Sequence, residues 1–176
     1  MLASGSRQRT LAQTTAEEYQ VKAAFLFHFA QLVGWPPSTL NAADTSLNFC
    51  VFEDEPHRQD LQTAIEGKAI GDRVLHVRLL SRAQDIQKCN VLFLSRDEAW
   101  RQTATLKTLR GLPVLTVGES SNYLAEGGMI SFHLDADKVR FDINLDAANS
   151  SHLTISSRLL LLASVVLRGG KSERER

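Results

Sequence analysis

Residues 90–95 read Asn-Val-Leu-Phe-Leu-Ser. The apolar residues run together without alternation, as in a parallel strand buried on both faces. Working outward, strand and helix patterns take turns. Upstream, Leu47 to Glu53 (LNFCVFE) predicts a strand, His57 to Gly67 a short helix closed by glycine, and Arg73 to Leu80 (RVLHVRLL) another strand. In that strand Val74, His76 and Arg78 alternate with Leu75, Val77 and Leu79. Downstream, Asp97 to Arg110 predicts a helix carrying Trp100 and ended by Gly111, and Pro113 to Gly118 a fourth strand. This alternation predicts an α/β single domain: a mostly parallel central sheet with helices on both faces.

The flanks extend that frame. Thr14 and Thr15 each precede a glutamate by three residues, a capping-box pattern that predicts a helix through YQVKAAFLFHFAQLV, residues 19–33. Trp35-Pro36-Pro37 stops it. Val21, Phe25, Phe29 and Leu32 form one stripe, and Ala23, Ala24, Leu26, Phe27 and Ala30 widen it. Such a helix is buried on several sides or offers one side to a partner. Leu26, Phe27 and Ala30, with Trp35 beyond them, are therefore the candidate partner or dimer surface, and His28 is expected in a core or interface. Met129 to Leu134 and Val139 to Ile143 alternate with period two around an Asp135–Lys138 turn, which predicts a C-terminal antiparallel hairpin at the sheet edge. A last helix is expected over roughly Ser156 to Leu167. The domain should span residues 14–168, between a flexible segment at 1–13 and a charged, mobile tail at 169–176 whose two glycines end the helix.

Composition narrows the function. The 176 residues carry 20 Lys+Arg and 20 Asp+Glu, which leaves no cationic surplus for nucleic acid. The longest apolar run, Leu159 to Leu167, is far too short to span a membrane. Met1 to Thr10 has no apolar core, so it is not an intact signal peptide; the protein is cytosolic or its leader has been removed. Cys50 and Cys89 lack a CxxC partner or a nearby histidine, which argues against zinc. They are two buried thiols, which the count alone favours, or one disulfide. There is no phosphate loop, no GxGxxG after a strand, no HExxH and no GxSxG, and no nucleophile–base set is recognisable. Neither a catalytic residue nor a cofactor is assigned. Doubly wound sheets bind ligands beyond the carboxyl ends of their strands. Ser95, Arg96, Gly118 and Glu119 would line that crevice, which makes a nucleotide or amino-acid sensor the alternative function.

Six segments in order resemble the YfiR family of bacterial periplasmic proteins: YQVKAAFLFHFAQLVGWP (19–36), CNVLFLS (89–95), VLTVG (114–118), GGMI (127–130), FDINL (141–145) and SRLLLLA (157–163). The resemblance implies a small α/β periplasmic protein, often dimeric, that represses a membrane diguanylate cyclase of YfiN type by binding its periplasmic sensor domain. It implies an outer-membrane lipoprotein of YfiB type that relieves the repression, with cyclic-di-GMP, biofilm and exopolysaccharide as outputs. It also implies a Cys50–Cys89 disulfide, because these positions match the family's cysteine pair, and an activity linked to the disulfide state, as in a redox sensor. Some members carry a second pair near GGMI; Glu119 to Leu134 has no cysteine here.

Overall fold

Among the residues that the computed structural model describes, 11–40 and 42–173, the apolar runs assemble into a nine-stranded sheet. The elements are α1 (Leu11–Leu32), β1 (Val33–Gly34), β2 (Ser46–Phe52), α2 (Arg58–Ile65), β3 (Ala69–Ile70), β4 (Arg73–Leu80), β5 (Val91–Leu94), α3 (Ala99–Leu109), β6 (Leu115–Gly118), β7 (Ile130–Asp135), β8 (Lys138–Asn144), α4 (Leu145–Ser150), β9 (Thr154–Ile155), α5 (Ser157–Leu162), β10 (Val166–Arg168) and β11 (Lys171–Glu173). Short 3-10 turns occupy Ala83–Lys88 and Arg96–Glu98. The sheet order is β11-β10-β8-β7-β6-β5-β2-β4-β3. Strands β4, β2, β5, β6 and β7 run parallel to one another, while β3 and β8 flank them antiparallel. β1 and β9 form a separate antiparallel pair.

Strand pleating sends successive side chains to opposite faces. Phe49, Val51, Val91, Phe93, Leu115 and Val117 point to one face, where α1 and α2 bury Ala23, Leu26, Phe29, Leu61 and Ile65 against them. Phe29 sits edge-on to Phe141, centroids 4.8 Å apart, and stacks on Phe132 at 5.5 Å. Cys50, Phe52, Leu92 and Leu94 point to the other face, with Leu106 and Leu109 of α3 and with Tyr123. Tyr123 fills the gap beside β6 because two glycines make room: a Cβ on Gly118 or Gly128 would lie 2.2 Å from its ring. Gly127, at φ 100°, turns the chain ahead of β7.

The structure moves several expected boundaries. α1 begins at Leu11, inside the segment expected to be flexible, because Leu-Ala-Gln is itself good helix. The expectation of flexibility for residues 1–10 and 174–176 lies outside the described residues. The Ile130–Asn144 hairpin is not at the edge: β7 pairs with β6 and β8 with β10. The C-terminal antiparallel pair that does end the sheet is β10–β11. It forms where a helix to Leu167 was expected. α5 stops at Leu162, and Ile143 N–H donates to the Val165 carbonyl as the chain turns extended; the β-branched Val165-Val166 pair suits that strand. Gly169 and Gly170, at φ 59° and 72°, turn this hairpin instead of ending a helix, and both N–H groups donate to Asp146. Residues Lys171–Glu173 thus pair in the sheet rather than belonging to a mobile tail. No described helix is long and apolar enough to cross a membrane.

Cys50 and Cys89 are bonded, with Cα atoms 5.8 Å apart and residues 0% and 3% exposed. The bridge spans 39 residues, so removing it with Cys50→Ala and Cys89→Ala together is expected to cost on the order of 4 kcal/mol. A urea-unfolding midpoint that stays in place would show that the bridge contributes no stability.

Candidate functional site

Strands β2, β5 and β6 end side by side at Phe52, Leu94 and Gly118, and the residues just beyond them form a buried polar cluster. Lys22 enters it from the buried stripe of α1, at 3% exposure. Its ammonium makes ion pairs with Glu18, one turn earlier, and with Glu119 beyond β6. Glu119 Oε2 also accepts the Tyr19 hydroxyl and the Arg96 backbone N–H, each at 3.0 Å. One carboxylate thereby ties α1 to the ends of β5 and β6. Burial and the facing Glu119 carboxylate hold the Tyr19 phenol well above its ordinary range. The Tyr19 ring stacks on His57 with centroids 3.4 Å apart.

A second part of the cluster joins β2 to α3. Glu55 Oε1 accepts the His57 N–H at 3.0 Å, and Glu98 Oε2 accepts the Ser95 N–H at 3.2 Å. Glu55 is fully buried and Glu98 nearly so. Arg101 stands beside them, with Nη1 3.8 Å from Glu98 and an ion pair to Asp54. Its guanidinium lies 4.0 Å from the centre of the Phe52 ring and 4.3 Å from that of Trp100. Desolvation, then the neighbouring Glu55 carboxyl, push the Glu98 carboxyl up to about 8.

The structure brings the four expected crevice residues together, but the crevice is full. Ser95 and Glu119 are buried, the Arg96 backbone is used while the residue is exposed, and Gly118 faces Tyr123. Of the expected partner surface, Leu26 and Ala30 are corrected: at 0% and 2% exposure they belong to the core under α1. The helix buries one side only, leaving Gln20, Val21, Ala24 and His28 exposed. His28, expected in a core or interface, instead meets Gln31 at the surface. Phe27 and Trp35 are half-buried against the core edge. Trp35 lines a cavity of about 340 Å³ with Leu40, Leu47, Ile70 and Arg73. Among the described residues, no group of three or more His, Cys, Asp or Glu is arranged to hold a metal ion. Sequence reasoning missed Tyr19, Lys22, Glu55 and Glu98. One signal was available: Lys22 falls on the 19, 23, 26, 30 stripe, and a lysine at a core position needs a buried partner.

Glu119→Ala should leave Lys22 with Glu18 as its one ion-pair partner and strand the Tyr19 hydroxyl and the Arg96 N–H, at a cost of about 3–5 kcal/mol. A denaturation midpoint within error of the parent would show that the pair does not hold α1. The buried Glu98 also sets a pH dependence. Its carboxyl keeps a proton in the folded protein, up to about 8, that the unfolded chain releases near 4.5. Stability is therefore greatest below the lower value and falls as pH rises through the higher one. Urea midpoints measured across this window should decline, and Glu98→Gln should flatten the decline.

Among solved structures, a conserved domain protein from Vibrio cholerae O1 biovar El Tor is similar in fold, with TM-score 0.56 and 13% identity over 84% of this chain and 59% of that one. The chain thus spans about three fifths of that protein's length, and at this identity the likeness concerns the fold alone. No curated protein sequence matches the chain. A family model described as YfiR/HmsC-like matches residues 19–164, from the tyrosine that bonds Glu119 to the residue after α5 and its cap. By that match the chain belongs to the YfiR/HmsC-like family.

Proposed function

We propose that this protein is a non-catalytic periplasmic regulator that binds the periplasmic sensor domain of a membrane diguanylate cyclase of YfiN type. By binding one state of the cyclase better than the other it shifts the population toward the inactive state. Cyclic-di-GMP production falls, and biofilm and exopolysaccharide output with it. The observation that carries this reading is the family match over residues 19–164. The filled crevice supports it: the place where such a sheet would hold a small ligand is occupied by Tyr19, Lys22 and Glu119 of the chain itself. In this proposal the active form is a homodimer, an outer-membrane lipoprotein of YfiB type relieves the repression, and no cofactor takes part. Phe27 and Trp35 are the part of the candidate surface that a partner can reach without unfolding the core. The burial of Cys50 and Cys89 supports a structural bridge over a surface redox switch.

The small-molecule sensor reading has less support, since a ligand would have to displace Glu119 from three partners. Capture of the cyclase's purified periplasmic domain by the oxidised chain tests the proposal. Expected are saturable binding, at least about tenfold weakening by Phe27→Asp in a chain that keeps its far-ultraviolet spectrum, and no nucleotide turnover. Absence of binding by the folded, oxidised chain would overturn the proposal. Thermal stabilisation by millimolar nucleotides or amino acids would favour the sensor reading instead.

A further inference from the structure

We propose that Glu98 holds a proton where it faces Glu55, and that its loss above neutral pH releases the first turn of α3 and the Trp100 surface it carries.

The argument starts from unsatisfied oxygens. Glu55 and Glu98 are 0% and 2% exposed, beyond the ends of the paired strands β2 and β5. Each has one oxygen bonded to a backbone N–H, of His57 or Ser95. The other two, Glu55 Oε2 and Glu98 Oε1, are buried with no donor from the rest of the protein. The Glu55 carboxyl lies within hydrogen-bonding reach of Glu98. Ionised carboxylates only accept, so a bond between them requires a proton on one of them. A proton on Glu98 gives the pair a donor; without it, two negative charges face each other away from water.

The surroundings offer no ready compensation. From α1 come Tyr19, Glu18 and Lys22, with the ammonium already paired to Glu18 and Glu119. From the loop after β2 come Asp54 and His57, and from α2 comes Arg58, whose guanidinium donates to the Glu55 carbonyl at 3.2 Å. From α3 comes Arg101, held by Asp54 and lying against Phe52 and Trp100. From beyond β6 come Glu119 and the buried Tyr123. Arg101 is near enough to Glu98 to respond, at 3.8 Å. Loss of the proton to solvent therefore either draws Arg101 away from Asp54 or drives Glu98 outward, off the Ser95 N–H. Both displace the Arg96–Glu98 turn that leads into α3, and both alter the contact between Arg101 and Trp100. That ring is 75% exposed, beside a cavity of about 400 Å³ lined by Phe52, Ser81 and Ala104. The Glu98 carboxyl, pushed up to about 8, places the event in a mildly alkaline range.

Trp100 reports on the pair directly. The protein has two tryptophans, so Trp35→Phe leaves Trp100 as the single fluorophore. Emission of that variant, followed from about pH 5 to about pH 9.5, should show a reversible transition with a midpoint well above the ordinary carboxyl range. Glu98→Gln should abolish it in a folded chain, and Glu55→Gln, which removes only the facing charge, should lower the midpoint by at least about one unit. The Glu55→Gln test holds even where Glu98→Gln fails to fold. A flat profile in the folded Trp35→Phe protein would overturn the proposal. So would a midpoint that survives Glu98→Gln and disappears in His57→Asn, since it would belong to the stacked imidazole, and so would a midpoint unmoved by Glu55→Gln.

Discussion

Lys22 brings a full charge into the interior, and the rest of the arrangement follows from where that charge is matched. An unpaired ammonium at this depth would not be tolerated; Glu18 meets it from the same helix and Glu119 from the sheet. Glu119 stands at the first position beyond β6, so the match sets the distance and rotation of α1 over the sheet. The aromatic contacts of Phe29 with Phe132 and Phe141 then lie on the sheet side of the same helix. Hydrophobic burial supplies most of the energy, being non-directional and proportional to area. The ion pair and its two added hydrogen bonds supply the address.

The same cluster explains why the molecule has the outline of a ligand-binding α/β protein without an open crevice. A helix that arrives before the first sheet strand lies over the carboxyl ends of β5 and β6 and plugs them with its own side chains. What would be a binding cleft becomes a joint. Within a family proposed to act by contact with other proteins, that leaves the outer surfaces, such as the edge around Phe27 and Trp35 and the exposed face of α3, as the places where recognition has room to occur.

Much of the fold was legible because its signals are local. The NVLFLS run, the alternation of strand and helix, and the Asp135–Lys138 turn each carry their meaning within a few residues. The errors fall where distant partners decide. Val165-Val166 joined to an apolar helix looks like more helix until β8 is present to accept it as a strand. Leu26 and Ala30 looked like surplus apolar surface because the widened stripe does not say which side the sheet takes. The crevice residues were placed by topology, but Glu55 and Glu98 were not foreseen. A glutamate in a polar stretch looks solvated until the two loops that bury it come together. The cysteine pairing came from family resemblance, and residue types alone left it open.

The bridge between Cys50 and Cys89 has a topological consequence. It joins the middle of β2 to the residue that leads into β5, and these strands are neighbours in the sheet. Everything between them, α2, β3, β4 and the Ala83–Lys88 turn, is a covalently closed excursion from the sheet's centre to one edge. Such an excursion is able to open as a separate cooperative unit while its two ends stay fastened to the core. The opposite edge, β10 and β11, lies outside the loop, with the Gly169 and Gly170 N–H groups of its turn donating to Asp146. The two margins of one sheet therefore differ in kind: one can loosen without coming away, and the other has no such tether.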